Sequence, residues 1–497
     1  MRQPSTHAFR LRQSLVIVAL LAFAASLVAQ APPAASVQPL LLAHANVVDV
    51  AAGTIQRDRD VTIRDGRIAA VTESGRTPPP SGIRTIDATG KFLIPGLVDM
   101  HVHWYDVRYL GLFIANGVTG VRQMWGFPVH FIWQGRIDTG QLLGPRFVIA
   151  SPIVDGPNPV WPNSVVAADA AAGSDIVRRM KNEGYDFVKV YSRLPRDAYF
   201  AIAKTARELN LPFAGHVPGA VSAAEASDAG QKSIEHNTGI LLAASRDEAR
   251  LREVSLRLFT GGEANQGIDR SRRAAMRELA ESLLSTYDAS KAAALFATFV
   301  KNDTWICPTL TVLRSMASLD DPQFTSDPRA KYMPRQLRTS WDPANDPRNA
   351  TKGAEDYALD RRVYRRQVEL VGAMHKAGVK IIAGTDVLNP FVFPGFSLHD
   401  ELGLLVEAGL TPAEALRAAT LRPAQYLGAE KTSGTIEPGK NADLVLLEGN
   451  PLDDIGNTRR ISAVVTRGRL VDRAELDALL AQAEKLSSAP ASPGVIR

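Results

Sequence analysis

The stretch that decides the fold is Ile94-Pro95-Gly96-Leu97-Val98-Asp99-Met100-His101-Val102-His103, a mainly apolar run that ends in two histidines. Its composition is typical of a strand that is covered on both faces. Side chains two positions apart in a strand share a face, so His101 and His103 are expected to project in the same direction. Two imidazoles placed in this way can bind one metal ion, although a His-x-His pair alone is a weak signal.

Seven further runs of similar character follow, and helical patterns lie between most of them. Strand–helix alternation predicts a parallel sheet, and eight such units predict a (β/α)8, TIM-like barrel of the α/β class. The region exceeds the usual ~250 residues of such a barrel, so insertions are required. The predicted strands are Leu97–His103, Gly117–Met124, Arg146–Ala150, Phe187–Tyr191, Pro212–His216, Ser233–His236, Thr304–Leu310 and Val379–Asp386.

Short strands and turns flank this central region on both sides. Residues 38–95 and 430–475 read in this way, and Asp65-Gly66 is a strong signal for a two-residue hairpin. We expect the two pieces to pair into one small β-sandwich module built from both ends of the mature chain. The barrel then spans residues 96–429, with insertions at about 241–300 and 314–360.

The first 31 residues have the pattern of a secretory signal peptide. Arg2, Arg10 and Arg12 precede the apolar run 15–29, which is shorter than the ~20 residues that span a bilayer as a helix. The pattern predicts a periplasmic or secreted protein with no stable membrane span after processing. The alternative is an uncleaved membrane anchor.

Composition excludes several other classes of protein. Hydrophobic residues make up 45% of the chain and charged residues 22%, as in ordinary globular proteins. The 57 basic and 52 acidic residues are nearly balanced, so no nucleic-acid partner is expected. Cys307 is the one cysteine, which excludes an internal disulfide.

Three more potential metal ligands end predicted strands. His216, His236 and Asp386 each follow a short buried run, as His101 and His103 do. The reactive groups of barrel enzymes lie at the C-terminal ends of the strands, so these side chains are expected to converge on one mouth. Packing could explain each residue separately, but it does not readily explain the coincidence.

Lys189 is the second anomaly of the central region. It lies in Phe187-Val188-Lys189-Val190-Tyr191, a strand that is expected to be buried on both faces. A lone buried lysine is costly unless it is neutralised or paired. Lys189 is therefore either bound to an acid within the barrel or modified into a metal ligand.

The motifs together resemble the amidohydrolase superfamily. The stretch 94–103 resembles its opening motif, and Gly215-His216-Val217-Pro218, Ile234-Glu235-His236 and Ala383-Gly384-Thr385-Asp386 resemble its later metal motifs. Residues 439–444, Gly-Lys-Asn-Ala-Asp-Leu, resemble its C-terminal β-module signature. The chain looks most similar to the exported prolidase and imidazolonepropionase-like branch.

This resemblance implies a binuclear metal centre, usually of zinc, although cobalt and manganese also fit such ligands. It implies that a water bridging the two ions becomes hydroxide and attacks a carbonyl carbon, and that Asp386 transfers the proton to the leaving amine. The implied ligands are His101, His103 and Asp386 for one ion, His216 and His236 for the other, and a carboxylated Lys189 that bridges both.

The function predicted in this way is that of an exported binuclear metal-dependent amidohydrolase. It would hydrolyse an amide or peptide-like C–N bond in a small molecule such as a dipeptide or an N-acyl amino acid. One alternative is a cyclic-amide or lactone hydrolase that uses the same site. The other is a non-catalytic periplasmic binding protein on a barrel scaffold.

Aromatic residues beside the implied ligands are candidates for substrate binding. They are Tyr191, Trp104, Tyr105 and Trp125. The insertion 314–360 is polar but contains Tyr332, Met333, Trp341 and Tyr357, which need a surface to pack on. We expect it to form either a lid over the mouth or a contact between the subunits of a homo-oligomer.

Overall fold

The computed structural model describes residues 38–76, 82–260 and 268–488, except for the side chain of Thr260. The predicted signal peptide, residues 1–31, lies outside this part of the chain. Among the described residues, no helix combines the length and the apolar character that a bilayer span requires.

The described strands fall into three groups along the chain. The N-terminal group is β1 (Leu40–Asp49), β2 (Thr54–Arg64), β3 (Arg67–Glu73), β4 (Arg84–Asp87) and β5 (Phe92–Pro95). The central group is β6 (Leu97–Val102), β7 (Val118–Gln123), β8 (Arg146–Ile149), β9 (Val154–Asp155), β10 (Val165–Val166), β11 (Val188–Val190), β12 (Phe213–Gly215), β13 (Ser233–Glu235) and β14 (Trp305–Cys307). The C-terminal group is β15 (Leu444–Leu447), β16 (Ile461–Thr466) and β17 (Arg469–Asp472).

The N-terminal and C-terminal groups share one sheet. Strand β5 pairs antiparallel with β15, where Leu93 lies opposite Leu446. The result is a single hydrogen-bonded sheet of eight strands, with the order β17-β16-β15-β5-β1-β2-β3 and β4 beside β1. The sequence predicts that both ends of the chain pair into one β module, and the sandwich arrangement of that module stays a prediction. The sheet is continuous because the long strand β1 pairs with β2 on one side and with β4 and β5 on the other.

The central strands are parallel and fall into two named sheets, β6-β7-β8 and β10-β9-β11-β12-β13-β14. An isolated parallel bridge between Ala150 and Phe187 joins the two sheets. Two further bridges, Ile306 to Ile381 and Val102 to Val387, place the segment 381–387 beside β14 and β6. The fold is thus of the mixed α/β kind.

The predicted eighth strand, Val379–Asp386, is not a regular strand in the structure and forms only isolated bridges. Gly384 explains part of this irregularity, because a Cβ there would lie 2.5 Å from Cys307 Sγ and 2.8 Å from the Cβ of His101. The chain then turns at Asp386, whose φ of 61° is incompatible with an extended strand. The close approach of Gly384 to Cys307 and His101, followed by the turn at Asp386, therefore takes the place of regular strand pairing.

Helices cover the central strands and connect them. Those before β14 are α1 (Leu110–Ala115), α2 (Pro128–Asp138), α3 (Ala170–Asn182), α4 (Arg196–Glu208), α5 (Ala223–Asp228), α6 (Ile240–Ala243), α7 (Glu248–Thr260), α8 (Arg270–Ser285) and α9 (Ala289–Lys301). Those after β14 are α10 (Leu310–Ala317), α11 (Pro322–Thr325), α12 (Arg335–Ser340), α13 (Ala354–Lys376), α14 (Phe396–Glu407), α15 (Pro412–Ala418), α16 (Leu421–Leu427) and α17 (Arg473–Ser487).

Both predicted insertions contain helices. The region 241–300 carries α7, α8 and most of α9. The region 314–360 contains α11, α12 and short 3-10 turns, and its aromatic residues are packed. The Tyr332 ring stacks on Phe396 with 5.3 Å between centroids, and Trp341 lies 5.2 Å from Phe391. The segment therefore packs against the chain that follows Asp386.

Candidate metal centre

Four histidines, one lysine and one aspartate converge at the C-terminal ends of the central strands. We call these six residues the ligand cluster. They are His101 in β6, His103 immediately after it, Lys189 in β11, His216 after β12, His236 after β13, and Asp386 in the irregular eighth segment.

Three members of the ligand cluster form a small triangle. The Nε2 atoms of His101 and His103 lie 3.3 Å apart. Asp386 Oδ1 lies 3.1 Å from His103 Nε2 and 3.4 Å from His101 Nε2. This oxygen is buried and makes no hydrogen bond. Nitrogen and oxygen lone pairs gathered so closely need a proton or a cation among them.

The other two histidines continue the cluster. The ring centroid of His236 lies 4.5 Å from that of His101 and 4.9 Å from that of His216. His236 Nδ1 is 3.7 Å from Asp386 Oδ2. All four imidazoles therefore surround one small volume, with Asp386 in contact with three of them.

Hydrogen bonds hold the histidine rings from outside the cluster. His101 Nδ1 donates to Glu235 Oε2 at 2.7 Å. His216 Nδ1 lies 2.8 Å from the hydroxyl of Ser192, and His236 Nδ1 lies 2.7 Å from that of Thr309. Such a bond at one ring nitrogen fixes the ring and its tautomer, which leaves the other nitrogen available to a metal ion.

Burial sets the protonation states that metal binding requires. It lowers the pKa of His101 and His216 well below the usual range, and it lowers that of His236 to about 4. For Asp386, burial acts to raise the pKa, but the neighbouring histidines, His236 first, outweigh it and lower the pKa overall. Neutral imidazoles and an ionised carboxylate are the forms that bind divalent cations.

Lys189 lies completely buried in β11, and its Nζ makes no hydrogen bond. An ammonium group without a partner is costly in such a place. Burial lowers the pKa of Lys189 to about 8, while Glu235 and Asp386 act to raise it. The acid-paired alternative from the sequence is not what the structure contains, because no carboxylate lies within ion-pair distance of Nζ among the described residues.

Two residues of the ligand cluster have a strained backbone. His236 has φ 58° and Asp386 has φ 61°, in the left-handed region that side chains other than glycine rarely adopt. Conformations of this kind cluster at active sites and ligand clamps, where the surrounding structure holds them in place. Both residues therefore sit where the chain turns sharply out of the strand and into the mouth.

Three of the four predicted substrate-binding residues border the ligand cluster. Tyr191 stacks on His216 with 3.9 Å between ring centroids. The Tyr105 hydroxyl is 3.5 Å from His103 Nδ1, and the Trp125 ring lies 6.4 Å from the His103 ring. These aromatic side chains form one wall of the mouth.

The fourth predicted substrate-binding residue, Trp104, faces away from the mouth. Its side chain is buried, and its indole N–H donates to the backbone carbonyl of Asp106 at 2.6 Å. The ring packs against Tyr109 and Phe113. Neighbouring side chains in an extended segment point in opposite directions, so Trp104 faces the core when His103 and Tyr105 face the mouth.

A second buried cluster, which the sequence reasoning missed, lies around Glu235. We call Arg122, Ser233, Glu235 and Tyr426 the arginine network. The Arg122 guanidinium donates to Glu235 Oε1 at 2.9 Å, to the Tyr426 hydroxyl at 2.8 Å and to Ser233 Oγ at 3.0 Å. Arg122 and Glu235 are both completely buried. The signal available in the sequence was a charged residue inside an apolar strand, Arg122 in β7 and Glu235 in β13.

The insertion 314–360 also contributes a residue to the mouth that the sequence reasoning missed. The guanidinium of Arg348 lies 5.5 Å from the ring centroid of Trp161, whose indole N–H donates to the Tyr191 hydroxyl at 2.8 Å. Arg348 pairs with Asp346 at 2.8 Å, and 43% of its side-chain surface remains exposed. Arg348 thereby reaches the wall of the mouth from a different part of the chain.

The ligand cluster fits divalent metal ions. Donor atoms of His101, His236 and Asp386 all lie within 4.8 Å of one another. Two buried polar atoms of the cluster, Lys189 Nζ and Asp386 Oδ1, lack hydrogen-bond partners. Imidazole nitrogen and carboxylate oxygen are the donors that zinc and neighbouring transition metals prefer.

Solved structures of several hydrolases resemble this fold. A bottromycin amidohydrolase superposes with a TM-score of 0.72 at 24% identity, over 93% of this chain and 92% of that chain. A protein of Bifidobacterium longum described as a prolidase superposes with a TM-score of 0.61 at 25% identity, over 90% of this chain and 99% of that chain.

Similarity to curated proteins is local. An imidazolonepropionase of Pseudomonas fluorescens is 47% identical over 74 residues, which is 15% of this chain and 18% of that protein. The chain thus spans less than a fifth of the length of this curated relative. The family match is much longer, because the amidohydrolase family model matches residues 92–471, a range that contains the whole ligand cluster. This chain belongs to the amidohydrolase family.

Proposed function

We propose that this protein is a metal-dependent hydrolase that cleaves an amide or peptide-like C–N bond in a small substrate. One observation carries the proposal. Four imidazoles and a carboxylate meet beside a buried lysine, and two polar atoms of this group, Lys189 Nζ and Asp386 Oδ1, have no hydrogen-bond partner. Burying polar atoms without hydrogen bonds costs free energy, and a site that binds a ligand at these atoms explains why the chain bears that cost.

In this proposal the ligand cluster holds two divalent ions. His101, His103 and Asp386 would hold one, and His216 and His236 the other. When bound, the ions, zinc by the preference of these donors, would polarise the substrate carbonyl and lower the pKa of the attacking water.

Lys189 would serve the centre as a carbamate. Carbon dioxide adds to the neutral amine, and the nitrogen loses a proton, which leaves an anionic group on the side chain. The neutral amine is the reactive form, and the pKa of Lys189, lowered to about 8 by burial, favours that form. Carboxylation would also replace an unpaired buried cation by an anion that faces the two ions.

Asp386 would carry the proton in the reaction. Its Oδ1 lies 3.1 Å from His103 Nε2, and its lowered pKa keeps the carboxylate ionised and able to accept a proton from water. It would then deliver this proton to the leaving nitrogen as the C–N bond breaks. Glu235, Ser192 and Thr309 would keep the imidazoles oriented throughout.

The mouth favours a substrate with a free carboxylate, such as a dipeptide or an N-acyl amino acid. Arg348 lies over Trp161, and 43% of its side-chain surface is exposed. Its Nε and Nη2 donate to Asp346, so Nη1 would be the donor for a substrate. A guanidinium N–H forms a charge-assisted hydrogen bond with a carboxylate. A cavity of about 380 Å³ also opens beside His236, with Leu241, Met276 and Leu279 in its wall, and could take an apolar side chain.

Three further features belong to the same proposal: a closed barrel, a lid over the mouth and export of the protein. The bridges at Ala150, Ile306 and Val102 support closure of the central strands into a (β/α)8 ring. The packing of Trp341 on Phe391 supports an insertion that covers the mouth as a lid. Residues 1–31 would direct export to the periplasm or beyond, which N-terminal sequencing of the secreted protein would test.

Metal analysis together with an amide panel tests the proposal. Purified protein should carry about two metal ions per chain, and chelation should abolish hydrolysis of dipeptides or N-acyl amino acids. With labelled bicarbonate, the carbamate carbon signal should vanish in Lys189→Ala and persist in the control Lys204→Ala, which alters an exposed lysine. Protein without metal that neither zinc nor manganese activates would contradict the proposal.

A further inference from the structure

A second cavity lies at the opposite ends of the central strands. It has a volume of about 720 Å³ and is bordered by Lys232, Asp303, Trp305 and Lys380. Lys232 immediately precedes β13, and Trp305 begins β14. His236 of the ligand cluster follows β13 at its C-terminal end. We call this the basal cavity.

The basal cavity is strongly cationic. Its wall contains Lys232, Lys380, Arg417 and Arg422, against Asp303 as the one acidic residue. Asp303 is already engaged, because its carboxylate lies 2.6 Å from Lys380 Nζ. Three cations therefore face the cavity without a carboxylate within ion-pair distance among the described residues.

Two of these cations contact mainly aromatic rings. Lys232 Nζ lies 4.6 Å from the ring centroid of Tyr426, and the guanidinium of Arg422 lies 5.9 Å from that of Trp305. Arg417 differs, because it donates to the backbone carbonyls of Val50 and Ala51 at 3.0 Å each. The rings hold Lys232 and Arg422 in place but leave their N–H donors for another partner.

The positive charges also oppose one another. Burial, aided by Arg122, lowers the pKa of Lys232, and burial, aided by Arg417, lowers the pKa of Arg422. An anion in the cavity would relieve both effects, since opposite charge favours the charged form of each side chain. A monovalent anion would neutralise only one of the unpaired cations.

We propose that the basal cavity is a binding site for a small anion with at least two negative charges, a dicarboxylate or a phosphate. The site is separate from the metal centre, because Lys232 and His236 lie at opposite ends of β13. The anion would accept hydrogen bonds from Lys232 and Arg422 while lying against the rings of Trp305 and Tyr426. Charge-assisted bonds of this kind are stronger than neutral ones.

Calorimetric titration of the purified, metal-loaded protein tests this site. The probes are succinate and inorganic phosphate, with acetate as the monovalent comparison. Both divalent probes, or one of them, should bind more tightly than acetate, and the one that binds identifies the chemistry of the ligand. In the double variant Lys232→Gln/Arg422→Gln, affinity should fall roughly tenfold or more.

Matched controls separate the basal cavity from other sources of binding. The double variant Arg178→Gln/Lys181→Gln removes one lysine and one arginine from the exposed face of α3, and it should leave the affinity unchanged. If the basal double variant does not fold, the single variant Arg422→Gln decides by the same criterion. The proposal is wrong if neither divalent probe exceeds acetate, or if binding survives the basal substitutions. Loss of binding in His103→Gln would then place the anion at the ligand cluster.

Discussion

Two buried clusters of ionisable residues touch each other in this molecule and differ in how well their polar atoms are satisfied. In the arginine network, Arg122 donates to Glu235, Ser233, Tyr426 and the carbonyl of Met100. In the ligand cluster, Lys189 Nζ and Asp386 Oδ1 are buried without a hydrogen bond. The hydrogen bond from His101 to Glu235 joins the two clusters.

The difference teaches where binding is to be expected. Buried polar groups in proteins are normally hydrogen-bonded, so a cluster that is satisfied internally can be explained by stability alone. A cluster with unsatisfied atoms and a strained backbone needs another explanation, and ligand binding provides it. Substitutions in the ligand cluster should therefore affect activity, and those in the arginine network should affect folding.

The largest expected effect is on turnover in Asp386→Asn. Loss of a general acid–base group typically lowers the rate by about 10²–10⁴-fold, and the neutral amide cannot accept the proton. Much of the metal should remain bound, and the free energy of unfolding should not fall. Turnover and metal content are measured against Asp175→Asn, an exposed aspartate on α3. Near wild-type turnover would exclude the proton-transfer role.

The next effect concerns stability in Arg122→Met. Removing this side chain leaves the Glu235 carboxylate buried without its counterion, which typically costs about 3–5 kcal/mol. Urea unfolding should detect the loss, whereas Arg178→Met at an exposed site should stay within about 0.5 kcal/mol of wild type. The double variant Arg122→Met/Glu235→Leu should recover part of the loss. Unchanged unfolding in the single variant would show that the network contributes little.

His399 is a buried histidine that should make the free energy of unfolding depend on pH. It is buried, and its ring nitrogens lie 2.9 Å from the Thr458 hydroxyl and 3.0 Å from the Asn116 carbonyl, so it has a structural role like that of the arginine network. Burial lowers its pKa from 6.5 to about 4. Its contribution to stability is therefore complete above pH 6.5 and lost as the pH falls towards 4, by up to about 3 kcal/mol.

Unfolding free energies at several pH values check this expectation. The wild type should lose more stability on acidification than His399→Gln, because the glutamine does not titrate. All other titratable groups are the same in both proteins, so the difference between the two isolates His399. Equal pH dependence in the two proteins would contradict the expectation.

The smallest expected effect is on substrate affinity in Arg348→Gln. A hydrogen bond to a charged group contributes about 1.5–3 kcal/mol, so kcat/KM for an N-acyl amino acid should fall roughly ten- to a hundredfold, mainly through KM. The corresponding substrate with an amide in place of the carboxylate should show little change. Arg338→Gln, an exposed arginine of the same insertion, is the control. Equal losses on both substrates would rule out carboxylate recognition.

The positions of the ligand cluster could be predicted because they follow from local pattern. His101 and His103 lie two residues apart in one strand, and His216 and His236 each follow a short buried run. In parallel strands, the C-terminal ends meet at one edge, so a sequence position at a strand end specifies a place in space. Lys189 was recognisable for a related reason, as a charge within an apolar strand.

The arginine network and Arg348 could not be predicted in the same way. Arg122 and Glu235 are separated by 113 positions, and nothing local in either strand specifies the other as its partner. Arg348 belongs to an insertion whose path depends on packing of Trp341 and Tyr332 against Phe391 and Phe396. Trp104 faces the core because the alternation of side chains continues past the end of β6.

The sequence by itself determined most of the order of strands and helices, the family resemblance, and the residues that could bind metal. The tertiary structure decided which polar atoms have partners, how the rings are held, and where four cations of distant origin surround a cavity. The physical reason is the distance along the chain over which each property is set. Side-chain periodicity and strand termini are properties of a few consecutive residues, whereas hydrogen-bond satisfaction and burial depend on every segment packed around an atom.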